Sequence, residues 1–425
     1  MILRPYQIEG AQWLATKRRA YLADAPRVGK TPTVAHALAT SNAESALVAC
    51  PARVRRQWRY TMQEVAPRVA VDVRSFEEIT RGGEDLREAL LLHSPPSHLI
   101  IDEAHELRNA TAKRTQLLLG KAGYFRRIPF VWAVGGTPFW KNVGSLWTIA
   151  ASIFAKEVRA LGIITADDWY NTFAEYTWEP QEYGPPKRKV WGVKNLEKMR
   201  AFQAETMLRR TLADTGMQVP PMTWTTLLLD AVDTPKWSLD QSEVGEAVRQ
   251  VEDWVQYGTE HMDGPLAVMR HELGDYKAPL VAQHVADELG GDPEFRVVLY
   301  AHHLSVMDAL ESRLSEFGVM RVDGSTSEKV AWSRIEQFNS GKNARVFLGQ
   351  NHAVSVGIPL HSADTAIFVE PDWTASKNFQ LSQRIVALGD SRPKMIQFAT
   401  LGGTLDEAIQ RQHAREAEMQ DILGG

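Results

Sequence analysis

A chain of 425 residues, 44% apolar and 24% charged, is long enough for two domains with full cores and has no apolar run of membrane-spanning length. Its formal charge of -4 excludes a protein that coats nucleic acid by electrostatics alone, while basic clusters at Lys17-Arg18-Arg19, Arg53 to Arg59, Lys113-Arg114 and Lys187-Arg188-Lys189 leave room for local contacts. The single cysteine, Cys50, excludes a disulfide scaffold and cysteine-built zinc, and with no apolar signal region after Met1 it points to a reducing cytoplasm.

Along the first third, short apolar strands alternate with amphipathic helical stretches, which predicts a parallel sheet covered by helices. The expected strands are Ala46 to Cys50, Val69 to Val73, His98 to Asp102 and Phe130 to Val134. The alternation returns after residue 295, at Arg296 to Ala301, Met320 to Asp323, Arg345 to Leu348, Thr365 to Val369 and Met395 to Phe398. Between them lies a stretch rich in helix formers and tryptophans, broken at Pro185-Pro186 and Pro220-Pro221, which predicts helical insertions. Thr404 and Glu407 form a capping box that opens a terminal helix running to Leu423. The expected organisation is a first α/β lobe over 1–150, insertions and linker over 151–290, a second α/β lobe over 291–403 and a bracing helix over 404–425.

Two elements of the first lobe carry chemistry. Gly29-Lys30-Thr31 sits where a loop enters a helix, so backbone N–H groups and the helix dipole would cradle phosphate. Lys30 would reach the β and γ phosphates, and the Thr31 hydroxyl would coordinate magnesium. The pattern is looser than a full phosphate loop because position 24 is Asp rather than Gly. Leu99-Ile100-Ile101-Asp102-Glu103-Ala104-His105 is an apolar strand ending in paired carboxylates. Asp102 would hold the magnesium, directly or through water, and Glu103 would orient and deprotonate a water attacking the γ-phosphate. His302 and His303, adjacent at a strand end, point to opposite faces and read as packing and surface residues. Trp147, Trp169 and Trp254, in helical stretches, read as core or interface anchors.

Further landmarks then recur in order. Leu3-Arg4-Pro5-Tyr6-Gln7, Ala49-Cys50-Pro51-Ala52 with Gln57-Trp58, Ser75-Phe76, Glu106-Leu107-Arg108-Asn109 and Gly135-Gly136-Thr137-Pro138 occupy the first half. Met207-Leu208-Arg209-Arg210-Thr211 with Val219-Pro220-Pro221 follows, then Val298 to His302, Asp323-Gly324-Ser325, and Pro371-Asp372-Trp373 with Gln380 and Arg384. Together they resemble the superfamily-two helicases, and within them the Swi/Snf-type ATPases, which implies an α/β fold of two tandem RecA-like domains with parallel sheets flanked by helices. The resemblance implies that Gln7 reads the adenine, that Arg27, Gly29, Lys30, Thr31, Gly357 and Arg384 surround ATP, and that Arg384 acts with Lys30, Asp102 and Glu103 in catalysis. It also implies nucleic-acid contact at Pro51, Arg53, Arg55, Arg56, Ser75, Thr137, Ser325 and Ser355.

The implied activity is an ATP- and Mg2+-dependent translocase on double-stranded or branched DNA, serving fork remodelling or branch migration in repair, recombination or replication. Nothing announces a strand-splitting wedge, so translocation without processive unwinding is expected. Two alternatives stand beside it: a strand-separating DNA or RNA helicase, and a nucleotide-gated DNA-binding switch with little hydrolysis. The first motif at Leu3 and the end one helix after the last strand leave no room for a nuclease, histone reader or zinc module. That economy points to a bacterial or phage protein in the bacterial cytoplasm, targeted by DNA structure or recruiting proteins, with no membrane and no zinc.

The chain departs from the family at informative places. The last motif has Arg384 but Ala387 where a second arginine is expected, so hydrolysis is expected to be slow unless Arg27 or Arg392 supplies the missing charge. Pro359 replaces an asparagine and removes a backbone donor.

Overall fold

The computed structural model describes the chain except residues 93–94, 137, 139–141, 181–185, 231–240, 258–264, 342–343, 355–357, 388 and 423–425, and some side chains at the ends of helices. The strands of the first third are β1 (Arg19–Leu22), β2 (Ser45–Cys50), β3 (Ala70–Ser75), β4 (His98–Ile101) and β5 (Phe130–Val134). The middle carries β6 (Ala174–Glu179), β7 (Lys187–Val193), the two-residue β8 (Met207–Leu208) and β9 (Met222–Leu228). The last third adds β10 (Val297–Ala301), β11 (Val319–Val322), β12 (Val346–Gln350), β13 (Thr365–Phe368) and β14 (Lys394–Thr400).

Two units emerge, one of Met1–Gly216 with Met419–Gly425, the other of Met217–Glu418. The first holds a six-stranded sheet in the order β3-β2-β4-β5-β1-β8, and the second a six-stranded sheet in the order β11-β12-β10-β13-β14-β9. Every pairing in both is parallel. Parallel sheets need cover on both faces, and the strands read accordingly as continuous apolar runs. In β10 all five residues are fully buried. Val297, Leu299 and Ala301 join a core with Leu273, Val281 and Leu405, while Val298 and Tyr300 join one with Ile335, Phe338 and Leu381. Each fully buried branched residue contributes about 1.5–3 kcal/mol, so such a strand anchors its unit.

The middle carries the expected helices, among them Ala166–Phe173, Leu196–Thr206 and Gln241–Tyr257, together with strands that the helical reading did not include. β6 and β7 form an antiparallel ribbon in the first unit, and β9 closes the second sheet beside β14. Met222-Thr-Trp-Thr-Thr-Leu-Leu is a β-branched and aromatic run of the kind that forms strands, so its signal was present and masked by the surrounding helix formers. β1 and β8 are too short to carry a periodicity of their own.

The long helix Pro265–Gly291 contains Pro279 and buries Lys277, whose ammonium donates to Asp406 at 2.8 Å and to the carbonyl of Ala399 at 3.0 Å. That ion pair ties it to the terminal helix Leu405–Ile422. The terminal helix opens with Glu407 accepting from the Gly403 N–H at 2.8 Å and Thr404 Oγ accepting from the Asp406 N–H at 3.3 Å, a capping arrangement displaced from the expected box.

Candidate active site

The loop between β1 and the helix Lys30–Thr40 is closed by left-handed backbone at Arg27 (φ 69°) and Gly29 (φ 92°). The left-handed backbone at Gly29 favours glycine, and a Cβ there would also lie 2.2 Å from Gln7 Nε2 and displace that amide. Gln7 donates to the carbonyls of Val28 at 3.4 Å and Gly29 at 3.5 Å, and Tyr6 Oη donates to Val28 O at 3.0 Å, so the opening motif is laid directly on this loop. The Lys30 ammonium lies within the loop, donating to the carbonyls of Asp24 at 2.9 Å and Ala25 at 3.2 Å.

Asp24, the departure from the phosphate-loop pattern, is completely buried. Arg210 answers it with Nε at 3.0 Å from Oδ1 and Nη2 on Oδ2, and its Nη1 donates to the Tyr6 carbonyl. The backbone repeats the link, with Ala23 N–H donating to Leu208 O at 2.7 Å and Ala25 N–H to Arg210 O at 2.8 Å. Gly10 makes room, because a Cβ there would lie 2.5 Å from Arg210 Nη2. The role of Arg210 was missed in the sequence, where the signal was an acid inside an apolar loop, which demands a buried cation.

Asp102, at the end of β4, accepts from Trp58 Nε1 at 2.7 Å and from the Glu103 N–H at 3.0 Å. Burial pushes its carboxyl up, opposed by the Trp58 bond and by the charge of Lys30. Trp58, fully buried, therefore positions the acid box. Glu103 takes left-handed backbone (φ 48°, ψ 51°), a strained conformation for a residue with a Cβ, and its carboxylate lies 3.4 Å from His105 Nδ1. Gly135 and Gly136 pass close to both elements: added Cβ atoms would meet Tyr21 Oη at 3.0 Å and Glu103 Cα at 3.7 Å in the first case, and Pro26 Cδ at 3.0 Å in the second. The Tyr21 hydroxyl is buried without a hydrogen-bond partner among the described residues, and burial followed by the Glu103 charge pushes its phenol up. Phosphate loop, acid box and the Gly135-Gly136 turn thus form one cluster. A cleft of about 750 Å³ elsewhere in this unit, lined by residues such as Lys113, Lys121 and Trp147, includes none of them.

The expected nucleic-acid contacts are placed unevenly. Pro51 and Arg53 are half-buried at the turn Ala52–Val54, and Arg56 is exposed on the helix Arg55–Val65. Arg55 is engaged, its Nη1 2.5 Å from Glu78 Oε1 and its Nε donating to Ala52 O at 3.2 Å. Glu78 also accepts from the Ser75 N–H at 2.7 Å, and its own N–H donates to Ser75 Oγ at 3.1 Å. Ser75 is thus a buried cap of the helix Phe76–Leu92. Burial raises the Glu78 carboxyl, but the Ser75 N–H and Arg55 outweigh it and hold it below the usual range. Thr137, Ser355 and Gly357 lie outside the described residues, as does the Trp254 side chain. Trp147 and Trp169 pack together in the first core, ring centroids 5.8 Å apart.

In the second unit Asp323 accepts from Ser325 Oγ at 2.6 Å, Ser325 N–H at 3.0 Å, Thr326 Oγ at 3.2 Å and Arg321 Nε at 2.9 Å. Burial works against the charge, yet these donors, Ser325 foremost, hold Asp323 down at about 2. Gln350, not singled out in the sequence, accepts from the Gly324 N–H at 2.8 Å and donates to His302 O at 2.9 Å, joining two landmark loops. Both backbone N–H groups of His302 and His303 donate to Glu370, and the His303 ring lies 2.5 Å from it. Arg384 is half-buried, its carbonyl accepting from Leu360 N–H at 2.8 Å. Arg392 is committed to Asp390 at 2.9 Å, Asp364 at 3.1 Å and the carbonyl of His361 at 2.9 Å.

The family model for the helicase conserved C-terminal domain matches residues 282–389, within the second unit. Over 98% of its length the chain is 23% identical to the mouse (Mus musculus) DNA annealing helicase and endonuclease ZRANB3, covering 40% of that protein. Over 99% of its length it is 23% identical to the Drosophila melanogaster SWI/SNF-related matrix-associated actin-dependent regulator of chromatin subfamily A-like protein 1, covering 56% of it. The chain thus spans about half the length of these curated relatives. Among solved structures it is similar to the Sulfolobus solfataricus SWI2/SNF2 ATPase core domain, with a TM-score of 0.42 and 18% identity over 99% of this chain and 90% of that one. The helicase C-terminal match in the second unit, and alignments that run along nearly all of this chain, make it similar to helicase-like ATPases of superfamily two. Within that class its similarity is to Swi/Snf-type proteins.

Proposed function

We propose that the chain is an ATP-driven translocase on double-stranded DNA, acting on branched substrates in fork remodelling or branch migration. The observation that carries the reading is the single cluster in which Gln7 lies on the Val28-Gly29 loop, the charge of Lys30 acts on Asp102, and the Gly135-Gly136 turn passes close to Pro26 and Glu103. These residues fit Mg2+ and ATP: a glycine loop before a helix N-terminus, a lysine and a hydroxyl at its first turn, and a buried carboxyl whose upward push a cation would offset. Bound ATP supplies the phosphoanhydride to be cleaved, and Mg2+ screens its charge. Lys30, Thr31 and Asp102 would hold the pair, Gln7 would face the base, and Glu103 would orient and deprotonate the attacking water. The relatives' names include DNA annealing and chromatin regulation, which supports DNA as the polymer.

The test is steady-state ATP turnover without nucleic acid and with single strand, duplex, forked DNA and RNA. Duplex or forked DNA is expected to stimulate most, and Glu103→Gln to lower the stimulated rate about 10²–10⁴-fold with nucleotide binding retained. Stimulation by RNA alone would overturn the DNA reading. The commitment of Arg392 to Asp390 and Asp364, together with Ala387, supports a second reading, a nucleotide-gated DNA-binding switch. Equal, negligible turnover in the parent and Glu103→Gln chains would favour it.

A further inference from the structure

We propose that the ribbon of β6 and β7 is a stacking platform for an unpaired base at a duplex end or branch, an inference that rests on the DNA reading above. While Trp58, Trp132 and Trp169 are fully buried, two tryptophans of this ribbon stand out in solvent: Trp178 is 55% exposed and Trp191 60%. Trp191 is the extra residue of a β-bulge, lying between the pairs Glu175↔Gly192 and Tyr176↔Val190. Bulges re-aim side chains, and here one re-aims a large ring.

Trp178 is held in place by a built arrangement. The Arg188 guanidinium lies over its ring at 4.4 Å, over Tyr170 at 4.8 Å and over Tyr176 at 5.4 Å, and it is ion-paired with Asp167. Tyr176 meets Trp178 edge-on at 5.9 Å, and its hydroxyl donates to Asn171 at 2.6 Å. The base of the ladder is fixed in turn, because Ala174 and Val190 are buried in the first core and Thr165 caps the helix Ala166–Phe173. A ring fixed this way loses little freedom when something stacks on it.

The surroundings choose the occupant. Lys187 opens β7 and Lys194 follows it, and Lys189 sits between them, 3.1 Å from Glu179. Exposed rings interleaved with cations suit a flat base joined to phosphates, which offers a face to stack on and a negative charge beside it. Stacking accepts any base, so the platform would recognise that a base is unpaired rather than which base it is.

The test uses the full chain and DNA carrying 2-aminopurine either at the first unpaired position of a fork or inside a plain duplex. The parent chain is expected to quench the fork probe and not the duplex probe. The double variant Trp178→Ala/Trp191→Ala should lose that quenching and raise the fork concentration that half-saturates ATP turnover about tenfold, with the plain-duplex value within about twofold. Trp178→Phe/Trp191→Phe should keep most of both effects, and its losing them would overturn stacking as the cause; Trp178→Gln/Trp191→Gln, expected to lose them, stands in if the alanine variant fails to fold. Fork and duplex values that rise together, or a parent chain that leaves the fork probe unquenched, would overturn the platform while leaving the translocase reading intact. A parent chain stimulated by no DNA would overturn the translocase reading itself.

Discussion

Buried acids of the two units are satisfied in opposite ways. Asp323 takes its donors from Ser325, Thr326 and Arg321, all within three residues, so its turn assembles itself. Asp24 waits for Arg210, 186 residues away, and Asp102 for Trp58, 44 residues away. The difference teaches where each unit's loops get their shape: the second unit's landmark turn is locally encoded, whereas the nucleotide loop of the first exists only once distant segments have docked.

That contrast can be broken in four places. Arg210→Ala leaves a carboxylate buried and alone, and should cost about 3–5 kcal/mol by chemical denaturation. The double change Asp24→Ala/Arg210→Met should recover most of it, and a single-variant cost near zero would mean the pair does not shape the loop. Trp58→Phe removes a hydrogen bond to a buried charge and should cost about 2 kcal/mol, together with a drop in nucleotide affinity measured by titration.

Asp323→Asn should cost less, about 1 kcal/mol at neutral pH, since the turn keeps its other bonds. Its signature is pH dependence. Asp323 is held at about 2, below the ordinary 3.8, so its stabilisation is present above about pH 4 and lost as pH falls toward 2. The variant should flatten stability across that window, and an unchanged acid limb would place the loss elsewhere. The smallest effect is expected of Tyr21→Phe, which deletes a buried hydroxyl without a partner among the described residues. It should leave the protein as stable or about 1 kcal/mol more so by thermal melting, and a large loss would mean that the hydroxyl is satisfied after all.

Much of the fold was legible because parallel strands buried on both faces must read as apolar runs: β2, β4, β5, β10 and β13 all do so. The strands that escaped are short, like β1 and β8, or half-exposed, like β6, β7 and β9, where polar residues dilute the pattern. In the candidate site, Gly29, Lys30, Asp102 and Glu103 were legible from their spacing within single segments, and Gln7 from the resemblance alone. Trp58, Arg210 and Gln350 were not, since each acts on a group in another segment. Ser75 and Arg55, expected from the resemblance as DNA contacts, are both drawn into the cap around Glu78, a group that lies in the next helix.

By itself the sequence determined the chemistry available to this protein: a glycine loop before a helix, paired carboxylates at a strand end, and an order of landmarks that resembles the Swi/Snf-type ATPases. Only the tertiary structure decided that Asp24 is a partner of Arg210 and not a defect in the loop, and that Trp178 and Trp191 stand on a ribbon in solvent. The physical reason is range. Backbone geometry and alternation are written within a few residues, whereas the partner of a buried charge and the exposure of a ring depend on which distant segments come to lie beside them.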